Sequence, residues 1–125
     1  MQLGLIGTAC TKVTQKNTAA GIGSGALPVF GTPSLIALME EASVLAVEAV
    51  LQPGQTTVGT RVDVAHTAPT PLGRAVQARA TLTNIDGRKL TFQVEAFDEQ
   101  GEIGRGTHER AVVDACRFQE KADAR

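Results

Sequence analysis

Between Pro33 and Leu51 the chain carries three charged residues, Glu40, Glu41 and Glu48, and is otherwise almost entirely aliphatic. Thr32 is a good N-cap, Pro33 fits the first helical position, and Pro53-Gly54 stops the run. The pattern predicts one long helix. A helix this apolar is expected to be largely buried, so the remaining sequence has to supply a surface that covers it.

That surface is written as alternation. Val58, Thr60, Val62, Val64 and His66 fall on one face of a predicted strand, with Arg61, Asp63 and Ala65 on the other. Pro69 to Gly73 breaks the run. Val76, Ala78, Ala80 and Leu82 then form an inward face, as do Leu90, Phe92, Val94 and Ala96. Asp86-Gly87 is a hairpin signal between those two strands, and Gln100-Gly101 is a second turn. A last strand spans about Ile103 to Val113, with less clean alternation, and the charged tail from Gln119 to Arg125 is expected to fray. Ahead of the helix, Leu3 to Thr18 reads as one strand and the glycine-rich stretch Ala19 to Pro28 as a loop. That stretch matches no phosphate-binding pattern. The order is strand, loop, long helix and four antiparallel strands, an α+β layering of one helix on one curved sheet of about five strands.

With 125 residues, one domain covering 1–125 is expected. The chain has no Trp or Tyr and only four Phe, so its core must be built from Val, Leu, Ile and Ala. Twelve basic residues against thirteen acidic ones form no cationic stripe, which argues against a nucleic-acid partner. Cys10 and Cys116 have neither disulfide-framework nor metal-ligand spacing and read as free thiols of a reducing cytosol. The start faintly resembles a lipoprotein cleavage site at Cys10, but it lacks the basic residues and the apolar core of a leader. No segment has the roughly 20 apolar residues of a membrane span. A cytoplasmic, soluble protein with no membrane partner is expected.

Glu40 is the anomaly in the helix. At about 100° per residue, Glu41 and Glu48 share one wet face, while Glu40 lies about 100° away inside the apolar arc. A carboxylate there must find a partner or work for a living site; pairing with Arg or Lys at a wet rim explains it as well as catalysis does. Thr32 is explained by capping, and His66 by a satisfied place at a strand end. His108, between Thr107 and Glu109, reads as structural. There is no Gly-x-Ser-x-Gly elbow, no Cys–His signature and no histidine metal pair. Catalysis, if present, has a hydroxyl, a carboxylate and an imidazole to draw on.

Taken in order, Val29-Phe30-Gly31-Thr32, Leu38-Met39-Glu40, Gly59-Thr60, His66 to Pro71, Glu102-Ile103-Gly104 and Gly106 to Val112 resemble the fluoroacetyl-coenzyme A thioesterase family, over about Val29 to Phe118. The resemblance implies a hot-dog fold, hydrolysis of a short acyl-coenzyme A thioester, and a homodimer or tetramer with active sites close to the dimer interface. It places catalytic roles on Thr32, Glu40 and His66, and substrate contacts on Gly59, Phe30 and Gly31. It implies no metal and no cofactor beyond the coenzyme A of the substrate. In the fluoroacetyl-specific enzyme, aromatic residues ahead of the helix gate the acyl pocket. Here Gly23 to Leu27 holds none, which points to a general short acyl group. A hot-dog hydratase or dehydratase acting on enoyl thioesters and a non-catalytic acyl-thioester binder are the competing readings.

Overall fold

A computed structural model describes all of residues 1–125. Its elements are β1 (Ile6–Lys12), α1 (Ala19–Ile22), α2 (Thr32–Val47), β2 (Gln55–His66), β3 (Ala75–Asp86), β4 (Lys89–Asp98), β5 (Gly101–Asp114) and α3 (Ala115–Asp123). The five strands form one antiparallel sheet in the order β1-β3-β4-β5-β2. The sheet curls around α2, as expected of a hot-dog fold.

Helix α2 buries Leu35, Leu38, Met39, Ala42, Ser43, Ala46 and Val47, a stripe of three- and four-residue steps. Ala37, Glu41, Leu45 and Glu48 run along its exposed side. The inward faces read from β3 and β4 are all buried: Val76, Ala78, Ala80 and Leu82 on one strand, Leu90, Phe92, Val94 and Ala96 on the other. With the buried helix residues they form most of a core of 19 apolar side chains. Gly7 lets β1 lie against the helix, because a Cβ there would run into the Ala42 carbonyl.

Several boundaries differ from the sequence expectation. Gly31 rather than Thr32 caps α2, leaving Thr32 as the first helical residue and Pro33 as the second, where its missing N–H still costs nothing. The helix stops at Val47 and tightens into a single 3₁₀ turn over Glu48–Val50 instead of running to Leu51. The first strand is confined to Ile6–Lys12, and the glycine-rich stretch holds one helical turn, α1, capped by Thr18. The tail is helical to Asp123, because the Asp114 carboxylate caps α3 by accepting from the Arg117 amide at 2.9 Å.

The largest difference lies in β2. A bulge between Gly59 and Arg61 inserts one residue opposite β5. Side chains on one face of this pair are therefore Thr57, Gly59, Val62, Val64 and His66, opposite Val112, Arg110, His108, Gly106 and Gly104. Val58 and Thr60 do not share the face of His66, since one extra residue inverts a period of two.

Candidate active site

Thr32 sits at the start of α2, and His66 at the last residue of β2. Their side chains meet, with Thr32 Oγ1 and His66 Nδ1 2.8 Å apart. The change of cap explains the geometry. Because Gly31 occupies the cap, the Thr32 hydroxyl is not spent on a backbone amide and is free for the imidazole. The pair lines an open cavity of about 310 Å³ with Phe30, Val29, Ala68 and Ser24. Ser24 and Ala19 bring the α1 segment to this cavity without an aromatic ring. Nε2 of His66 is buried and has no hydrogen-bond partner. Burial lowers the His66 pKa from its ordinary value of 6.5, and the Ala68 backbone pulls against that shift.

Glu40 is elsewhere. It lies eight residues beyond Thr32, about 12 Å along the helix axis, and its carboxylate faces Gly59. A Cβ on Gly59 would stand 2.7 Å from Glu40 Oε2, so the carboxylate occupies space that a side chain at 59 would take. The same oxygen accepts from Arg110 Nη1 at 3.2 Å. Arg110 is buried and donates three further bonds: Nε to Thr57 Oγ1 at 2.9 Å, Nη2 to the Thr57 carbonyl at 3.0 Å, and Nη1 to His108 Nε2 at 3.1 Å. Burial lowers the Arg110 pKa, opposed by the Glu40 charge and hydrogen bond. The sequence-derived residues thus fall into two groups within one chain. Thr32, His66 and Phe30 form one, Glu40 and Gly59 the other, and Gly31 serves the first as helix cap.

Arg110 and His108 were not singled out as site residues from sequence. They project inward at i and i+2 from β5, and the signal was their charge on a strand face continued by Val112. Ala111 and Val113 make the opposite face equally apolar, so the phase of the strand was ambiguous.

A sequence profile of the family described as fluoroacetyl-CoA-specific thioesterase matches residues 13–116. The chain belongs to this family. It is 45% identical over 93 residues to the fluoroacetyl-CoA thioesterase of Streptantibioticus cattleyicolor, covering 74% of this chain and 67% of that protein. A solved structure of the fluoroacetyl-CoA thioesterase FlK superposes with a TM-score of 0.93 at 37% identity, over 100% of this chain and 97% of that one. A Thermus thermophilus thioesterase superfamily member matches with a TM-score of 0.85 at 26% identity, over 99% and 97% of the two chains. No helix is long and apolar enough to cross a membrane.

Proposed function

We propose that this family member hydrolyses short acyl-coenzyme A thioesters at a site organised by Thr32 and His66, with Glu40 as the acid–base or nucleophilic carboxylate. The observation that carries the site is the 2.8 Å Thr32–His66 contact at the start of α2, on the wall of an open cavity. A thioester carbonyl placed there meets the first-turn amides, which have no intrahelical acceptor and carry the positive end of the helix dipole. Those donors suit the oxyanion that forms as the carbonyl is attacked. His66 is held towards its neutral form by burial; with its proton on Nε2, its Nδ1 accepts from Thr32. Glu40 either attacks the carbonyl to give an anhydride or takes a proton from the attacking water. In either case water is consumed, the C–S bond breaks, and coenzyme A leaves as a thiolate that needs little help from an acid.

Glu40 reaches such a site by dimerisation. Strand β2 is a sheet edge, with Val62 exposed at its middle, and an unpaired edge invites a second strand. Two copies joined antiparallel along β2, about a two-fold near Val62 and Asp63, exchange the ends of the strand. His66 of one protomer then faces the partner subunit's Gly59, over which the partner's Glu40 is held. The unsatisfied His66 Nε2 supports a further group arriving there. The homodimer is therefore the working unit, and the cytoplasm, with its acyl-CoA pool and reduced thiols, is where exposed Cys10 and Cys116 stay free.

The hydratase alternative needs an Asp–His pair. Asp63 is exposed on β2, and no carboxylate of the same chain bonds His66. Thiol release measured on acetyl-, propionyl-, butyryl- and fluoroacetyl-coenzyme A tests the reading. Turnover is expected across the series, with no strong preference for fluoroacetyl, because the α1 segment reaches the cavity through Ala19 and Ser24 and brings no aromatic ring to it. Saturable binding without thiol release, or hydration of an enoyl thioester in its place, would refute it.

A further inference from the structure

His108 is one of the most buried polar side chains in the molecule, at 1% exposure, and neither the capping of any helix nor the Thr32–His66 pair uses it. Both of its nitrogens are engaged. Nδ1 lies 2.8 Å from the carbonyl oxygen of Arg61, just past the β2 bulge. A carbonyl only accepts, so the proton is on Nδ1. Nε2 lies 3.1 Å from Arg110 Nη1, and a guanidinium only donates, so Nε2 must offer its lone pair. The two bonds together select one form of the ring. The other neutral tautomer would point a lone pair at a carbonyl and an N–H at an N–H. The charged form would set two donors against each other at 3.1 Å. Nε2 is 3.9 Å from Glu40 Oε2, too far for that carboxylate to replace Arg110 as partner.

We propose that His108, as the neutral Nδ1–H imidazole, is a positioning residue for the reaction: it is the acceptor that orients the Arg110 guanidinium and, through it, fixes the Glu40 carboxylate over Gly59. The role rests on the reading that Glu40 works in thioester hydrolysis. Three acceptors around Arg110 set its plane, Thr57 through Oγ1 and its carbonyl and His108 through Nε2. Nη1 is shared between His108 and Glu40, so His108 takes one N–H of that nitrogen and, with Thr57, keeps the other aimed at the carboxylate. Glu40 itself is half-exposed and has no other protein partner, so its place over Gly59 depends on this aim. A hydrophobic side chain could fill the space beside Phe92, whose ring centroid is 6.4 Å from that of His108, but it would not supply an acceptor.

The surroundings hold the ring neutral. Burial is the main cause of its lowered pKa, and Arg110 on the same strand adds to it. The Arg61 carbonyl from β2, Glu40 from α2 and Glu109 from β5 pull the other way. From β4 the ring meets the uncharged Phe92.

The ring ¹⁵N resonances of the full-length protein at neutral pH test the tautomer directly. A protonated Nδ1 and an unprotonated Nε2 are expected for His108; an Nε2–H tautomer, or a doubly protonated ring, would overturn the proposal without bearing on whether the protein is a thioesterase. Kinetics test the role. His108→Leu should lower kcat on acetyl-coenzyme A roughly 10-fold or more with KM little changed, as for a reacting group moved off its working geometry. His108→Gln, whose amide oxygen can still accept from Arg110, should recover most of that loss. In a Glu40→Gln background His108→Leu should cost nothing further, since its effect passes through Glu40. Equal losses in both backgrounds, or failure of Gln to outperform Leu, would reduce His108 to a packing residue. Native turnover in Glu40→Gln alone would instead remove the Glu40 assignment, and this role for His108 with it.

Discussion

The two ends of the β2 edge are built on opposite terms. At the His66 end an exposed threonine and a half-buried imidazole share a single hydrogen bond, and one ring nitrogen has no partner. At the Gly59 end a buried arginine makes four hydrogen bonds to Thr57, His108 and Glu40, and the histidine beside it is satisfied on both nitrogens. The first arrangement leaves bonding capacity open for a substrate or a partner strand. The second spends its capacity on holding one carboxylate still. The saturation at the second end has a physical reason, because a buried guanidinium without acceptors would be costly.

The sharpest way to break this contrast is to remove one group from each end. His66→Ala should lower kcat on short acyl-coenzyme A roughly 100-fold or more, as for a lost acid–base group, yet leave the melting temperature nearly unchanged, because the ring makes one exposed bond and buries one unsatisfied atom. Glu40→Gln should lower kcat by a similar factor, and Glu40→Ala, which removes the acceptor of Arg110 Nη1 as well, should also destabilise the protein by about 1–3 kcal/mol, the range for leaving a buried charged donor poorly paired. Thiol-release kinetics beside thermal melts separate the two; equal stability losses at the two ends would erase the distinction between them.

Whether the ends meet across a dimer is a second point of attack. Val62→Glu puts a charge at the exposed centre of the edge strand, next to Asp63, and like charges across a pair of strands repel. Sedimentation should show dissociation towards monomer, and activity should fall with the dimer fraction while the fold, read by circular dichroism, persists. A monomer with full activity would place the whole reaction within one chain.

The smallest effect is on stability against pH. His66 and His108 both have pKa values lowered on folding, so between those values and the ordinary 6.5 the unfolded chain binds more protons than the folded one. Their contribution is complete above 6.5 and is lost as pH falls through the lowered values. Melting at pH 7.5 and pH 5.5 should show a lower transition in acid, with a smaller drop in His108→Gln than in the native protein. An unchanged drop would mean that folding does not lower the pKa of this ring.

Much of this was legible in the residue pattern. Period-two alternation in β3 and β4 named their buried faces correctly, because both strands lie inside the sheet and one face of each meets the core. Glu40 stood out because a carboxylate interrupted an apolar helical arc. Its partner Arg110 did not, since β5 alternates ambiguously there. The face of His66 relative to Val58 was misread because a single-residue bulge leaves no mark in composition. Helix α3 was missed because it is short, charged and buries nothing; its Asp114 cap and the spacing of Ala115, Phe118 and Ala122 were the local signals.

Sequence alone therefore determined the element order, the apolar helix that the sheet must cover, the family resemblance and the presence of one carboxylate out of place. Those follow from periodicity and residue chemistry, which are local. Tertiary structure decided which groups touch. It freed the Thr32 hydroxyl by moving the cap to Gly31, paired it with His66 34 residues away, and set Glu40 against Arg110, 70 residues on. Such contacts depend on strand register and on one bulge, and register is fixed only when the whole sheet closes on its core.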